Sequence, residues 1–446
     1  MAWKRTMLTG WGRTARADTL AARPERVGEA VRALREGLHD GLIAHGGGRS
    51  YGDAALNGGG RTLLTTRLDR LLSFDENTGE LVAEAGVTFA DLMEVFLPRG
   101  WMPPVTPGTA FATLGGAVAN DVHGKNHDQA GSFGDHVRWM HVLLPSGDVV
   151  RVSPRENAEI FRATIAGIGL TGIILEICLH LVRTPSNAVF RTRQRAPSLD
   201  RLVDLLDEYG PASPYSVAWI DALAKGEALG RGILETARPS ERGTGDTGAR
   251  RPGMPFDLPG FALNRHTVGA FNALYYRRAP EDGPGRRVAC EAFLYPLDGI
   301  ANWNRIYGRK GFYQFQCVVP KEAGREALRT LLTVASESGA ASFLAVLKTL
   351  GREGRGYLSF PMPGYTLALD FPRRRNTTAL LARLEAITRE HGGRIYLAKD
   401  ACLSRASLEA MYPKLPEFLE TLEALDPEGH MTSAMARRLK LRKAET

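Results

Sequence analysis

Apolar residues in the first third of the chain alternate between helical and strand spacing, in short elements. Spacing of three and four residues between Arg23 and His39 predicts a helix. A second helix is predicted over Thr88–Phe96, where Thr88 is the N-cap and Asp91 the N3 acid of a capping box. Short apolar runs over 63–85 predict two strands, and alternation around 146–148 predicts a hairpin over 139–152. This mixture predicts an α+β fold, with a first domain over residues 1–185.

From about Pro185 the apolar runs become longer, which predicts a second domain over 186–393. Amphipathic helices are predicted over Leu199–Tyr209 and Lys321–Ser338. Pro239–Pro259 is rich in Gly, Pro, Arg and Asp, and therefore predicts a long loop inside this domain. That loop is either a lid over a site or a surface insertion without a role.

The balance of charges narrows the possible partners. The 446 residues carry a net charge of +8 and a pI near 9.4, which favours anionic partners. Basic residues are not interleaved with aromatic ones in a cluster, so a nucleic acid is the weakest candidate, behind a phosphorylated substrate and an anionic membrane. The four cysteines stand far apart without a CxxC pair, which argues against a zinc site and a disulfide framework.

No stretch of the sequence is typical of a secretion signal or a membrane span. The first residues lack a long apolar core, and the most apolar window, 163–182, contains Glu176 and His180. We therefore expect a cytoplasmic protein whose membrane contact, if any, is peripheral. The basic run ARRLKLRK at 436–443 is either a solvated tail or a contact with anionic lipid headgroups.

Glycine is concentrated in one stretch that follows a short apolar run. Seven of the fifteen residues from Gly46 to Gly60 are glycine. Glycines let main-chain amides approach a ligand closely, and successive amides form a nest for anions. This glycine-rich loop (residues 46–60) predicts a site for a phosphate-bearing cofactor, although glycine runs also form linkers.

A second glycine pattern, GIGLTG at 167–172, matches the GxGxxG fingerprint of dinucleotide-binding domains. That fingerprint requires a strand before it, a helix after it and an acid about twenty residues later. Here helical spacing precedes the glycines, strand alternation follows them, and no acid lies between Glu176 and Asp200. We therefore reject a Rossmann site, and the absence of GxxxxGK[ST] excludes a P-loop nucleotidase.

Histidines and acids near residue 130 raise the alternative of a metal centre. His123 and His127 are four residues apart, with Asp121, Asp135 and His136 nearby. Gly124 and Asn126 disfavour the helix that would place both imidazoles on one face, and there is no HExxH motif. We therefore predict no metal site.

Long motifs along the whole chain resemble a known family. GGGRSYGD (46–53), LGGAVANDVHGKNH (114–127) and GIGLTGII (167–174) are similar to the FAD-binding half of vanillyl-alcohol oxidase (PCMH-type) flavoenzymes. Within that superfamily the match is closest to the decaprenylphosphoryl-β-D-ribose 2′-oxidases. The likeness continues through YSVAWID, YPLDGIANWNRIYGRKGFYQFQ, RIYLAKD and SAMARRL. The resemblance implies a two-domain fold whose last segment, 394–446, returns to cover the flavin.

The resemblance also implies the cofactor and the residues that hold it. Many relatives have a histidine that bonds to the flavin 8-methyl group where this chain has Arg49, so the expected cofactor is FAD bound without a covalent link. An imidazole at His123 would donate to the flavin ring, with a hydrogen-bonded core histidine as the alternative. The expected FAD-binding residues are Gly46, Gly47, Gly48, Arg49, Ser50, Tyr51, Gly52, Asn57, Gly108, Thr109, Gly115, Gly116, Asn120, Asp121, Val122, His123, Gly124, Asn126, His127, Gly131, Ser132, Gly169, Gly172, Ile173 and Ala398.

Oxidation of a secondary alcohol by FAD needs a base for the hydroxyl proton. The resemblance leaves three candidates open, namely Lys399, Tyr51 and His123. Lys399 has the alternative of a solvated pair with Asp400, and the two glutamines in FYQFQ have the alternative of a polar exterior strand face. The expected substrate-binding residues are Trp219, Tyr307, Gln314, Gln316, Thr366, Ala368 and Lys399.

Ala368 stands where mycobacterial relatives have the cysteine that nitroaromatic inhibitors trap, so the resemblance implies that this route of trapping is closed here. Thr366 replaces a usual asparagine and leaves the sugar or lipid preference open.

Three functions remain open. The first is oxidation of the 2-hydroxyl of a polyprenylphosphoryl-β-D-ribose to the 2-keto form, together with a separate NAD(P)H-dependent short-chain reductase. The second is oxidation of a free sugar, polyol or aldonolactone, and the third is a non-enzymatic protein that has kept the fold. The presence of the flavin motifs and of Lys399 disfavours the third.

Overall fold

The computed structural model describes residues 2–244, 252–340 and 343–442, and shows a two-domain α+β fold. In the first domain the strands are β1 Lys4–Thr9, β2 Arg16–Ala22, β3 Leu42–His45, β4 Arg61–Leu64, β5 Leu71–Phe74, β6 Glu80–Glu84, β7 Trp101–Met102, β8 Val137–Leu143, β9 Val149–Val152, β10 Ile173–His180 and β11 Val182–Arg183. The helices of this domain are α1 Val27–Gly37, α2 Phe89–Phe96, α3 Leu114–Ala119, α4 His127–Ala130 and α5 Ala158–Thr164.

The second half of the chain begins with β12 and ends in helices. Its strands are β12 Ala188–Ala196, β13 Tyr215–Ile220, β14 Gly232–Pro239, β15 Arg286–Ala289, β16 Phe312–Pro320, β17 Ala345–Leu350, β18 Gly364–Pro372 and β19 Arg394–Ile395. Its helices are α6 Leu199–Tyr209, α7 Arg265–Arg278, α8 Cys290–Leu294, α9 Gly324–Ser338, α10 Thr377–Glu390, α11 Arg405–Met411, α12 Leu415–Leu425 and α13 Ala434–Arg438.

Three large sheets carry the fold. The first has the order β1-β2-β4-β3, with β4 parallel to both β2 and β3. The second is antiparallel in the order β5-β6-β10-β8-β9, and the short strands β7 and β11 pair with each other. The third is antiparallel in the order β15-β12-β14-β13-β17-β18-β16-β19. Helices α6, α9 and α10 pack against this third sheet and bury one of its faces in a continuous apolar core, which leaves the other face available for a site.

Several local predictions are confirmed. The hairpin around residue 147 is β8 and β9, and α2 begins at Thr88 with both hydrogen bonds of the capping box, Asp91 N to Thr88 Oγ1 at 3.2 Å and Thr88 N to Asp91 Oδ2 at 2.8 Å. The GIGLTG motif follows helix α5 and precedes strand β10, the reverse of the order that a Rossmann fingerprint needs. The four cysteines are free thiols.

The end of the chain returns to the first domain, beginning after β19. Strand β19 (Arg394–Ile395) still pairs with β16, so the expected boundary at 394 falls two residues inside the large sheet. Beyond it, the amide of Leu42 donates to the His430 carbonyl at 2.8 Å, and the amide of Ala434 donates to the Leu56 carbonyl at 2.7 Å. The C-terminal segment thereby covers the glycine-rich loop from outside.

Three arginines of this segment form internal contacts, so the run 436–443 is not a solvated tail at these positions, while its contact with anionic lipid headgroups stays a prediction. Arg438 pairs with Asp53 and Asp400, each at 2.8 Å. Arg437 donates to the Asn57 side-chain oxygen at 2.9 Å, and Arg442 pairs with Asp426 at 3.0 Å. Lys443 lies outside the described residues. These arginines anchor the segment because their charges are neutralised within the fold.

The predicted loop 239–259 can be compared with the structure only at its two ends. Residues 245–251 lie outside the described residues, so the lid hypothesis stays a prediction. Among the described residues, no helix is long and apolar enough to cross a bilayer.

Candidate active site

A cavity of about 580 Å³ lies between the glycine-rich loop and the uncovered face of the third sheet. Its walls come from both domains and from the loop after β19. Most of the predicted FAD-binding residues line it, namely Gly46, Gly47, Gly48, Arg49, Ser50, Tyr51, Gly52, Gly108, Thr109, Gly115, Gly116, Asn120, Val122, His123, Gly124, Gly169, Gly172 and Ala398. Of the predicted substrate-binding residues, those that line it are Trp219, Gln314, Gln316, Ala368 and Lys399.

The glycine-rich loop packs too tightly against neighbouring segments for side chains. A Cβ atom on Gly46 would lie 2.4 Å from Thr113 Oγ1, and one on Gly47 would lie 2.4 Å from the Phe111 carbonyl oxygen. A Cβ atom on Gly52 would lie 1.9 Å from the carbonyl oxygen of Asp400, one residue after Lys399. The glycines therefore allow the loop to contact two segments at the same time, namely the residues just before α3 and the loop after β19.

Polar groups along this loop are available for a ligand. Within the described ranges, the main-chain amides of Gly47, Gly48 and Arg49 donate no hydrogen bond to the protein, although all three residues line the cavity. The buried Arg49 Nε and Asn120 Oδ1 atoms also have no partner there. Such a set of amides with a guanidinium suits the pyrophosphate of FAD, because an unpaired buried polar group is costly unless a ligand satisfies it.

Arg49 is held by aromatic rings. Its guanidinium carbon lies 4.2 Å from the centre of the Trp11 ring and 5.1 Å from that of Phe111. Burial lowers the pKa of this guanidinium from its usual value, but arginine remains charged at any physiological pH. The residue is thus a fixed cation in the wall of the cavity.

Seven predicted FAD-binding residues do not line the cavity, and several polar side chains among them hold neighbouring loops. The Asn57 amide donates to the Gly41 carbonyl at 2.7 Å. Asp121 accepts from the Gly134 amide at 2.9 Å and from Ser359 Oγ at 2.6 Å, and His127 Nδ1 accepts from the Gly351 amide at 3.1 Å. The full set outside the lining is Asn57, Asp121, Asn126, His127, Gly131, Ser132 and Ile173.

The third sheet presents a row of polar side chains on its open face. Strands β16 and β18 pair Gln314 with Asp370 and Gln316 with Ala368, while β17 pairs Lys348 with Thr366. Alternation places all of these side chains on the same face. Gln314 and Gln316 are buried and line the cavity, so the alternative of a polar exterior strand face is wrong.

Five of the seven predicted substrate-binding residues have hydrogen-bond partners within the protein, among them Thr366, Tyr307 and Trp219. Thr366 does not line the cavity, and its hydroxyl accepts a hydrogen bond from Gln316 Nε2 at 3.2 Å. Tyr307 does not line the cavity either, and its hydroxyl donates to Asp370 Oδ2 at 3.0 Å. Trp219 lines the cavity and donates from Nε1 to the Phe343 carbonyl at 2.9 Å. Thr366 and Tyr307 therefore support the residues that face the cavity.

Lys399 lies at the junction of the two domains. The amide of Tyr51 donates to the Ala398 carbonyl at 2.9 Å, and this contact fixes Lys399 above the Tyr51 ring, with Nζ 4.0 Å from the ring centre. Burial lowers the pKa of Lys399 to about 8, although Asp370 opposes the shift. In the described part of the chain its ammonium makes no hydrogen bond to another group, so the alternative of a solvated pair with Asp400 is wrong.

His123 is bound on both sides by the protein. Its Nδ1 accepts from Lys348 Nζ at 3.1 Å, and its Nε2 lies 3.0 Å from the Gln316 amide. Burial, followed by the charge of Lys348, lowers the pKa of this imidazole well below its usual value. His123 is therefore a neutral ring with both nitrogens engaged, which also speaks against a metal ligand.

Two charged residues of the site were missed by the sequence interpretation. Lys348 lines the cavity, and burial together with Lys125 and Lys399 lowers its pKa to about 7. Asp370 is fully buried, and burial raises its pKa to about 7 although Gln314 and Tyr307 donate to it. The signal was present, because each is a single charge in an otherwise apolar strand, AVLKTL or YTLALDFP.

Two family models match the chain, and together they include both sides of the cavity. Residues 18–153 match the family described as FAD binding domain. Residues 312–439 match the family described as D-arabinono-1,4-lactone oxidase. The first match contains the glycine-rich loop, and the second contains both glutamines and Lys399.

Several curated proteins are similar to this chain. A decaprenylphosphoryl-beta-D-ribose oxidase of Mycolicibacterium smegmatis is 38% identical over 97% of this chain and 97% of its own length. An uncharacterised protein of Streptomyces coelicolor is 35% identical over 80% of this chain and its entire length. A more distant relative, the L-gulonolactone oxidase of Mus musculus, is 25% identical over 48% of each chain.

Proposed function

This chain belongs to the family of the decaprenylphosphoryl-beta-D-ribose oxidases, FAD-dependent oxidoreductases, and on that premise we propose that it oxidises the 2-hydroxyl of a polyprenylphosphoryl-β-D-ribose to the ketone. The observation that carries the proposal is the position of Lys399, a buried amine without a hydrogen-bond partner among the described residues, which lines the same cavity of about 580 Å³ as Gln314 and Gln316. Paired amides suit a sugar, because its hydroxyl groups both donate and accept hydrogen bonds.

The residues divide the chemistry between them. Bound FAD supplies the acceptor for the hydride that leaves the carbinol carbon. We assign the removal of the hydroxyl proton to the neutral amine of Lys399, so that the C–O bond becomes the carbonyl and the proton remains on Nζ. Gln314 and Gln316 hold the sugar by its other hydroxyl groups.

The other two candidate bases are less suitable. Burial raises the pKa of Tyr51 well above its usual value, so its phenol stays protonated and cannot take up the hydroxyl proton. Both nitrogens of His123 are engaged by Lys348 and Gln316. We therefore propose that Tyr51 and His123 position the reacting groups.

We expect kcat/KM to rise with pH through an apparent pKa of about 8. Below that value Lys399 is an ammonium and cannot accept the proton, so the rate should fall about tenfold for each pH unit. The measurement is initial rate against pH under kcat/KM conditions, with FAD content checked at each pH. A rate that falls as pH rises through this value would mean that the charged form acts, as an orienting donor.

Asp370→Asn should move that pH limb to lower values. The negative charge of Asp370 raises the pKa of Lys399 and so partly offsets the effect of burial. Without this charge, the pKa of Lys399 should be lower. Titration of Lys348, whose pKa is about 7, could also produce a rising limb in the pH profile. Asp370 is not among the groups that shift the pKa of Lys348, so the variant should not move a limb that comes from Lys348. A limb that stays in place in the variant would reassign the titration away from Lys399.

We propose that FAD is bound without a covalent link, because Arg49 occupies the place of the histidine that bonds to the flavin in many relatives. Denaturing the purified yellow holoenzyme should release all of its flavin into solution, and the intact mass of the pellet should equal that of the polypeptide alone. A pellet that keeps its colour and carries the added mass of FAD would contradict this.

The ketone needs a second enzyme if the carbon is to be epimerised. We propose a separate NAD(P)H-dependent short-chain reductase as the partner, since a reductant must deliver hydride to the other face of that carbon. Because the proposed substrate is lipid-linked, we also propose that the protein acts at a membrane surface. We place it on the cytoplasmic side of that membrane.

A second candidate function is oxidation of an aldonolactone, which the family match over residues 312–439 favours. The test is to incubate holoenzyme with an artificial electron acceptor and either substrate class, followed by mass spectrometry. Our proposal predicts a lipid-linked product two hydrogens lighter, which borodeuteride labels at C2 of the sugar. Turnover of the lactone but not of the lipid-linked ribose would replace it with the second candidate.

A further inference from the structure

Five large apolar side chains of the second domain are exposed, on α7 and on the segments before it and around residue 300. They form what we call the docking face, which consists of Phe256, Phe261, Phe271, Leu274 and Ile300. Phe261 is 79% exposed and Phe256 is 61% exposed. Soluble proteins seldom leave a group of large apolar residues in water unless it binds something.

Main-chain contacts connect the segments that carry several of these residues. The Met254 amide donates to the Ala301 carbonyl at 2.9 Å, and the Leu258 amide donates to the Arg305 carbonyl at 3.0 Å. These bonds join the segment that carries Phe256 to the turn that carries Ile300. Asn264 then caps helix α7, accepting from the amides of His266 and Thr267, so Phe261 lies directly before the helix.

Helix α7 (Arg265–Arg278) covers little of the protein with its own side chains. Only Val268 and Asn272, one turn apart, are buried, although the helix has fourteen residues. Phe271 and Leu274 lie on its exposed side. Large apolar side chains that a helix keeps in water together with several arginines are available for contact with another surface.

The charges around the docking face are positive. Arg265, Arg277 and Arg278 are exposed on α7, which has no acidic residue. Of the acids that flank these segments, Asp257 pairs with Arg13 at 2.5 Å and Glu281 with Arg195 at 2.7 Å, while the exposed Asp282 has no ion pair among the described residues and is outnumbered by the arginines of α7. Basic residues beside apolar ones are complementary to an anionic lipid surface.

The docking face is continuous with the cavity. Phe271 lines the cavity, and its ring contacts Phe343 at 5.4 Å and Tyr275 at 5.9 Å between ring centres. Both of these rings line the cavity as well. An apolar path therefore leads from the exposed side of α7 toward the glutamine row.

We propose that α7 and the segment 252–264 dock on an anionic membrane surface, with Phe261 and Leu274 inserted among the lipids and the cavity mouth turned toward the bilayer. The orientation of the mouth rests on the proposed lipid-linked substrate, because only such a substrate gains from entering directly from the membrane. The docking itself depends only on the docking face and the arginines of α7.

The test is cosedimentation of purified holoenzyme with vesicles of phosphatidylcholine, with and without phosphatidylglycerol. We expect binding to the anionic vesicles that weakens at high salt, and an affinity lower by about tenfold or more in Phe261→Ser/Leu274→Ser. Arg277→Gln/Arg278→Gln should weaken binding to the vesicles that contain phosphatidylglycerol and leave binding to pure phosphatidylcholine unchanged. The matched control is Met7→Ser/Leu72→Ser, which removes two apolar side chains exposed by 59% and 43% on β1 and β5 and should bind as the wild type does.

Three results would overturn the proposal. They are no binding to anionic vesicles at low salt, equal binding by the Phe261/Leu274 variant, or a lipid-free dimer that this variant dissociates, which would assign the face to a second copy. Turnover in detergent separates this proposal from the proposed function. Vesicle binding without oxidation of the lipid-linked ribose refutes only the function, and oxidation without vesicle binding refutes only the docking.

Discussion

Lys399→Met is expected to lower the rate of substrate oxidation by about 10²–10⁴-fold, the usual contribution of a general base. Methionine keeps the length and apolar stem of the side chain but cannot accept a proton. The side chain faces the cavity and makes no hydrogen bond to another described group, so FAD content and thermal stability should change little. The measurement is the rate of flavin reduction in anaerobic stopped flow, which isolates the chemical step.

Two controls make this experiment decisive. Lys225→Met removes an exposed lysine outside the cavity and should leave the rate unchanged. Lys399→Arg keeps the positive charge but provides no base, because arginine does not lose its proton in proteins. If the arginine variant retained most of the activity, Lys399 would act as an orienting cation and the assignment of the base would be wrong.

Gly52→Ala is expected to cost about 1–3 kcal/mol of folding stability and most of the bound FAD. The new Cβ atom would lie 1.9 Å from the Asp400 carbonyl oxygen, so either the glycine-rich loop or the loop that carries Lys399 must move. Both loops line the cavity, and a displacement there misplaces cofactor and base together. Flavin-to-protein absorbance ratio and thermal unfolding with added FAD measure the two effects.

Gly58→Ala is the matched control, because it lies in the same loop. Its Cβ atom would lie no closer than 3.9 Å to its nearest neighbour, and its φ is not positive. We expect wild-type FAD content and stability in this variant. Equal losses in both variants would show that flexibility of the loop matters, and not the contact of Gly52 with Asp400.

The local elements of this fold could be predicted because their signals are local. The capping box at Thr88 and Asp91 and the hairpin of β8 and β9 each depend on a few adjacent residues. The order of strands in the eight-stranded sheet depends on pairing between distant segments, such as β16 with β19. Apolar alternation reports which face is buried but not which strand lies alongside, so this order could not be derived from periodicity.

The site could be predicted on the cofactor side better than on the substrate side. The glycine-rich loop has an unusual composition, which a single sequence displays directly. Lys348 and Asp370 each stand in a separate apolar strand, and their nearness to Lys399 follows only from the register of β16, β17 and β18. Alternation from Thr366 and Ala368 leads to Asp370, so that residue could have been found with the same argument.

The basic C-terminal run shows the limit of reading charge from sequence. Arg437, Arg438 and Arg442 carry the same charge as residues in a solvated tail, yet each is paired within the fold. Their partners Asn57, Asp53 and Asp426 are up to about 385 residues away along the chain. Composition reports that a charge exists, whereas its partner depends on the tertiary fold.

Anaerobic titration of the purified holoenzyme with a polyprenylphosphoryl-β-D-ribose, followed in the visible flavin band, tests the central claim most directly. The claim is that amides of the glycine-rich loop hold a dissociable FAD beside a lysine base and a glutamine row that receives the sugar. We predict complete bleaching at one equivalent of the lipid-linked ribose, and at most very slow bleaching in Lys399→Met. A flavin that stays oxidised with this substrate but is bleached by an aldonolactone, or that bleaches equally fast without Lys399, would contradict the account.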